Sequence, residues 1–350
     1  MTGNGDNKPV ETKFTEQKWV SSLELYLAPI RFLLDDPSAT EICINRPKEA
    51  YVQRYSGWQR HDIEFADLNW CYRLGLLVAG ETSQGVNKNN PILSASLPTG
   101  ERIQFVLPPA AEHNTISIRR PSDTIWTLPE LAEKGLFSAC KDADDKLDDT
   151  EQELLELKKA CRFEDFLIKA VKARKTILIS GVTGSGKTTV TKALILEVPS
   201  YERIITIEDA KELILKNQPN HVRLFYSKGK QGVADVTATE LLEACLRLYP
   251  TRLFLAELRS SEAFDYLRTI AGHPGSITSI HGYTAKLALA QLLLLIRQSP
   301  AGQALQTEEI MALIYQSIDI VVQCSLEDTT RLVKEIWYDP MLKRSYGNKL

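Results

Sequence analysis

Residues 176 to 190 read Thr-Ile-Leu-Ile-Ser-Gly-Val-Thr-Gly-Ser-Gly-Lys-Thr-Thr-Val, an apolar β-branched run that breaks into a glycine-rich turn and then re-enters helix-forming sequence. Gly181, Gly186, Lys187 and Thr188 meet the spacing G-x-x-x-x-G-K-[ST]. In that pattern the backbone N–H groups cradle phosphates, the Lys reaches the outer phosphates and the hydroxyl ligates Mg²⁺. Glycine permits positive φ and lets an anion lie against the backbone at a helix N-terminus. A strand before the loop and a helix after it are the context this motif requires, so the stretch reads as a phosphate-binding loop.

The sequence around it alternates helix and strand patterns from Phe163 onward. Strands are expected at 176–180, 203–207, 222–226, 253–256 and 276–280, with further ones near 318–322 and 331–337. Helices are expected from Lys187 and at 237–248, 261–270, 284–297 and 308–316. Such alternation implies crossovers and a mostly parallel sheet. Thr237 with Glu240 forms a capping-box pattern at the start of its helix.

The first third of the chain has another rhythm. A helical period over 23–34 stops at Asp35-Asp36-Pro37. Short alternating runs follow at 41–45, 51–55 and 58–62, then a helical face of Leu68, Tyr72, Leu76 and Ala79. Strands resume at 92–97, 102–107 and 115–120, the first two joined by Pro98-Thr99-Gly100. Residues 19–120 therefore read as one smaller α+β domain on an antiparallel sheet, after a disordered tail at 1–18. Between the two domains, 121–162 reads as a linker. Lys141 to Glu156 holds eight acidic residues in sixteen positions, a composition that favours a solvated or mobile segment over a core element. The linker is long enough for the first domain to dock on its own chain or on a neighbour's.

Composition closes off other classes. The formal net charge of -3 gives no overall bias toward nucleic acid or anionic membrane. The 6 cysteines are scattered without C-x-x-C pairs, which argues against a zinc ribbon or a disulfide scaffold and fits a reducing cytoplasm. Met1 to Lys18 lacks the apolar core of a signal peptide, and the most apolar window, 287–296, is far shorter than the ~20 residues of a spanning helix.

Phosphoryl transfer to water needs a metal, charge compensation and a carboxylate, which P-loop proteins supply beside the loop. Two apolar strands end in acids where open α/β sheets place ligands: 204–207 before Glu208-Asp209, and 253–256 before Glu257. Each acid could equally be a helix cap or a solvated strand end. His281, after another strand, reads on chemistry alone as a structural histidine, and Arg102, Arg119 and Arg120 as surface charge.

Four ordered stretches resemble the secretion ATPase superfamily: Gly181 to Thr189, Ile207-Glu-Asp-Ala-Lys-Glu-Leu213, Ala256-Glu-Leu-Arg-Ser-Ser-Glu262 and Gly272-His-Pro-Gly-Ser-Ile-Thr-Ser-Ile-His281. They correspond to that family's Walker A loop, aspartate box, Walker B motif and histidine box. The first domain is similar too, in 37–45, 97–104 and 116–121. A compact first domain without a four-cysteine zinc insertion is most similar to the traffic ATPases of type IV secretion systems, with pilus-retraction and type II secretion motors as the alternative.

The resemblance implies a RecA-like P-loop NTPase domain at 163–350 and an ATPase using ATP and Mg²⁺. Thr183, Gly184, Ser185, Gly186, Lys187, Thr188 and Thr189 would line the phosphates, and Thr188 and Glu257 would serve the metal. Glu208 would orient or activate water, and His281 would sense the γ-phosphate. Arg102, Arg119 and Arg120 match arginines that reach the nucleotide from the first domain; Arg247 and Arg259 match charged positions near the subunit boundary. It further implies a homohexamer on the cytoplasmic face of the inner membrane, with membrane-channel components and other secretion ATPases as partners. The cargo would be protein or nucleoprotein, without sequence-specific nucleic-acid binding. Three positions depart from the pattern: Ala256 and Ser260 stand where glycine is usual and Thr251 where Asp is common, which leaves slow hydrolysis, or a nucleotide-gated scaffold, in view. A helicase-type motor is disfavoured by the lack of an aromatic-basic cluster.

Overall fold

The computed structural model describes residues 21–121, 124–141, 146–227 and 233–347. The tail at 1–18 and four residues of the acidic run lie outside that set. Two sheets organise the described chain, one of 6 strands and one of 7.

The first sheet takes β1 (Glu41–Arg46), β2 (Glu49–Arg54), β3 (Gly57–Asp62), β4 (Ile92–Ser96), β5 (Arg102–Val106) and β6 (Thr115–Arg119) in the order β3-β2-β1-β6-β5-β4. Every neighbouring pair is antiparallel. The helix Leu68–Glu81 is capped by Asp67, which accepts from the Trp70 amide, and buries Trp70, Cys71, Leu74 and Val78. Gly75 brings this helix close to the Phe105 ring, where a Cβ would lie 3.5 Å from it. The expected helix over 23–34 is divided into Ser22–Leu27, a 3₁₀ turn Ala28–Ile30 and Arg31–Leu34. Pro29 sits at the start of that turn and withholds the N–H that a continuous helix would need.

The second sheet holds β7 (Ile177–Gly181), β8 (Ile204–Glu208), β9 (His221–Phe225), β10 (Arg252–Leu258), β11 (Ile277–Ile280), β12 (Ile320–Glu327) and β13 (Thr330–Tyr338), in the order β13-β12-β7-β11-β10-β8-β9. All pairs are parallel except the β12–β13 hairpin. β7 and β8 are buried along their whole length, as strands covered on both faces must be. The fold is thus mixed α/β, with the antiparallel and mostly parallel sheets expected of its two parts.

The acidic segment does not stay in solvent throughout. Asp149–Lys159 is a helix with an Asp148/Glu151 capping box, and its Leu154 is fully buried in a cluster with Phe166 and Val171. Glu151 is buried as well, held by Lys175 at 3.3 Å and by the Arg344 guanidinium at 2.6 Å. Composition missed this because both counter-charges come from outside the segment. By contrast, residues 124–141 carry one short helix, Leu128–Glu133, and none of them is buried.

The first domain docks on the outer edge of β9 of the same chain. Ala111 bridges Leu224 in antiparallel fashion; the Phe225 amide donates to the Ala110 carbonyl at 2.8 Å and the Glu112 amide to the Arg223 carbonyl at 3.0 Å. Val106, Ala110 and Ala111 join the apolar core of the second domain. Arg203, fully buried, donates to the Leu248 carbonyl at 2.9 Å and to Asn45 of the first domain at 2.6 Å.

Candidate nucleotide site

The loop after β7 is held by close packing. A Cβ on Gly181 would lie 2.7 Å from the Cys324 carbonyl, so the strand passes β12 only as glycine. Gly184 and Gly186 adopt φ of 79° and 92°, the left-handed region. Gly186 is the N-cap of the helix Lys187–Leu196, so the loop feeds the free N–H groups of a helix start. Lys187 Nζ donates to the Gly181 and Val182 carbonyls at 2.9 and 3.3 Å, and the buried Ser185 hydroxyl donates to Val182 at 2.7 Å.

In front of this loop lies a cleft of about 290 Å³ lined by Thr183, Gly184, Lys187, Thr188, Asp209, Glu212, Ala256, Glu257, Arg259, Ser279 and His281. Glu257 is at its centre. β10 continues through it to Leu258, so the strand itself fixes the carboxylate. His281 Nε2 lies 2.9 Å from Glu257 and Lys187 Nζ 4.0 Å; Arg259 pairs with both Glu257 and Asp209. Burial pushes the Glu257 carboxyl above its ordinary value, against the pull of His281 and Lys187; burial likewise pushes the Lys187 ammonium down, with Glu257 opposing. Thr188 Oγ1 donates to Glu212 at 3.3 Å, which sets a hydroxyl and a carboxylate beside the loop. Hard oxygen donors facing a carboxylate on which Lys187, Arg259 and His281 converge fit the chemistry of a bound Mg²⁺ and its phosphates.

Glu208 does not line the cleft. It is fully buried, and its two oxygens accept from the Thr206 hydroxyl at 2.8 Å, the Glu212 and Leu213 amides at 2.9 and 2.8 Å, and the Arg223 fork at 3.1 and 3.2 Å. With that many donors on it, its oxygens are committed to anchoring the loop at 209–213 rather than aimed at a reactant. Thr189 lies on the first helical turn outside the cleft lining, and Ser185 is turned into the loop.

The five arginines singled out in the sequence divide. Arg259 is at the centre of the cleft. Arg102 and Arg119 are exposed partners across β5 and β6, and Arg120 donates to the Asp36 carbonyl within its own domain. None of these three lines the cleft. Arg247 lines a different hollow, of about 460 Å³, between Asn89–Ile92 and the helix Ala238–Cys245. Sequence reasoning passed over two residues that matter here. Arg331 of β13 donates to the Gly184 carbonyl at 2.9 Å, and Arg223 of β9 grips Glu208. Arg331 carries no sequence signal; Arg223 carries only its place on a strand beside an acid.

Residues 25–333 match the family model described as Type II/IV secretion system protein. The type IV secretion system protein VirB11 of Brucella suis is 45% identical over 94% of this chain and 93% of its own length. The PtlH protein of Bordetella pertussis is 40% identical over 91% of this chain and 95% of its own length. The crystal structure of the Brucella suis VirB11 ATPase in complex with sulphate superposes with a TM-score of 0.88 at 43% identity, over 93% of this chain and all of that one.

Proposed function

The chain belongs to the type II/IV secretion system protein family, and we propose that it is the ATP-hydrolysing motor of a bacterial type IV secretion system, working as a homohexameric ring. The observation that carries the ATPase reading is the convergence of Lys187, Arg259 and His281 on Glu257 beside the phosphate-binding loop. A buried carboxylate paired with Lys187 and Arg259 is poised to exchange them for Mg²⁺ while the two cations turn to the triphosphate. Thr188 and Glu257 would hold the metal, directly or through water, and bound Mg²⁺ would supply charge neutralisation for the outer phosphates.

The loop from Thr183 to Thr189 binds the phosphates through its N–H groups, and Lys187 turns from the Gly181 and Val182 carbonyls toward the incoming charge. His281 Nε2 lies against the Glu257 carboxylate, and His281 senses the γ-phosphate through it. Arg259 releases Asp209 and Glu257 when nucleotide enters. Arg102, Arg119 and Arg120 lie outside the cleft as it stands, so they complete it only when a first domain closes on it. An opening and closing first domain has different contacts in its two states, which nucleotide exploits to do work.

Among the described residues no helix is long and apolar enough to cross a membrane. In this reading the ring meets inner-membrane channel components and other secretion ATPases from the cytoplasmic side, and the cargo is a protein or nucleoprotein. Purified protein with Mg²⁺ and ATP is expected to release phosphate, and Glu257→Gln to lower that rate roughly 100-fold while nucleotide still binds. Equal rates in the two proteins would remove Glu257 from the mechanism.

A further inference from the structure

Glu208 is the most heavily hydrogen-bonded carboxylate near the cleft, yet it touches nothing that could react. One of its partners leads out of the domain. Arg223 sits on β9 directly across from Thr206, and its guanidinium forks onto both Glu208 oxygens. Its other nitrogen, Nη1, lies 3.5 Å from Glu112, a residue of the first domain. Glu112 also reaches Lys211 at 3.4 Å, inside the loop that Glu208 anchors. The backbone of Glu112 is pinned at the same place through its amide to the Arg223 carbonyl.

On the inner side the chain of contacts ends at the nucleotide cleft. Glu208 accepts from the Glu212 and Leu213 amides, which fixes the turn at 209–213. That turn presents Asp209 to Arg259 and Glu212 to Thr188.

We propose that Glu112, Arg223 and Glu208 form a positioning relay: docking of the first domain on β9 sets the 209–213 turn, and through Asp209 and Glu212 the geometry of the cleft. None of the three is a catalytic residue. Arg223 is 14% exposed at the side chain and Glu208 not at all, so the fork works in a screened environment where both charges need their partners. Glu112 brings a first-domain carboxylate to the contact and divides its charge between β9 and the turn. When the first domain lifts from β9, Lys211 and Arg223 lose that carboxylate together, and the turn relaxes. The relay rests on the ATPase reading, because its output is the placement of groups around bound nucleotide.

Two readouts test it, one of them independent of turnover. In Glu112→Gln and Arg223→Lys, kcat is expected to fall roughly tenfold while the KM for ATP stays within about twofold, because the phosphate-binding loop is untouched. Amide hydrogen exchange in a peptide spanning 209–213 is expected to quicken in both, since the Glu212 and Leu213 amides depend on Glu208. Glu112→Asp keeps the charge and should retain about half or more of the wild-type kcat. Wild-type kcat together with wild-type exchange in Glu112→Gln overturns the relay, and so does a rise in KM at constant kcat. A wild-type protein that releases no phosphate, while exchange in the turn still responds to Glu112→Gln, overturns the ATPase reading and upholds only the coupling of first-domain docking to the 209–213 turn.

Discussion

Glu257 and Glu41 are both buried acids with raised proton affinity, and they differ in what faces them. Around Glu257 stand Lys187, Arg259 and His281, an arrangement that compensates charge and invites a ligand. Glu41 accepts from the Ser117 hydroxyl at 2.6 Å, and burial pushes its carboxyl from 4.5 up to about 7, against the weaker opposing pull of Ser117, Arg203 and Arg119. A raised folded-state value stabilises the protonated native form: that contribution is fully present below about pH 4.5 and lost as pH rises through about 7. The interval corresponds to roughly 3 kcal/mol. Denaturant titrations at pH 5 and pH 8 should show the wild type losing more stability than Glu41→Gln over that span; identical losses would mean Glu41 ionises as freely folded as unfolded. At this scale the loop spacing pointed to Lys187 and Thr188 and the resemblance to the secretion ATPases pointed to Glu257 and His281, and all four line the cleft. The sequence could not disclose Arg331 against Gly184, two residues 147 positions apart that only the β12–β13 hairpin brings together. Nor did it show that Glu208, the neighbour of Asp209 in the same motif, faces inward to Arg223.

Among the elements, those whose signals are local were read well. Thr237 and Glu240 do form the capping box that opens the helix Ala238–Cys245, and the loop after β7 leads into a helix at Lys187. Some strand ends moved further: β10, expected to end at Ala256, runs through Glu257 to Leu258 because pairing with β11 resumes at Leu258–Ile280 after an irregularity, and β12, expected near 318–322, runs to Glu327. The acidic segment was misread where its outcome depended on distant partners. The helix Asp149–Lys159 is stabilised by Leu154 in the core and by Arg344 and Lys175 on Glu151. Leu154→Ala should therefore cost about 3 kcal/mol in denaturant titration, as for other fully buried leucines. A cost below about 0.5 kcal/mol would return the helix to the class of solvated surface segments.

The whole molecule is a P-loop domain with a first domain fastened to its β9 edge, and with three candidate arginines, Arg102, Arg119 and Arg120, held away from the cleft. In the proposed ring, turnover would belong to the closed assembly more than to the isolated chain, because Arg102, Arg119 and Arg120 would reach the cleft only by movement of a first domain or from a neighbour. Phosphate release per subunit, measured across a protein dilution series with sedimentation velocity on the same samples, tests this directly. The expected result is Mg²⁺-dependent release whose rate per subunit climbs as the sedimenting species passes from monomer to hexamer. No phosphate release at concentrations where a ring has formed, or a rate per subunit indifferent to assembly, would contradict an ATP-driven ring motor.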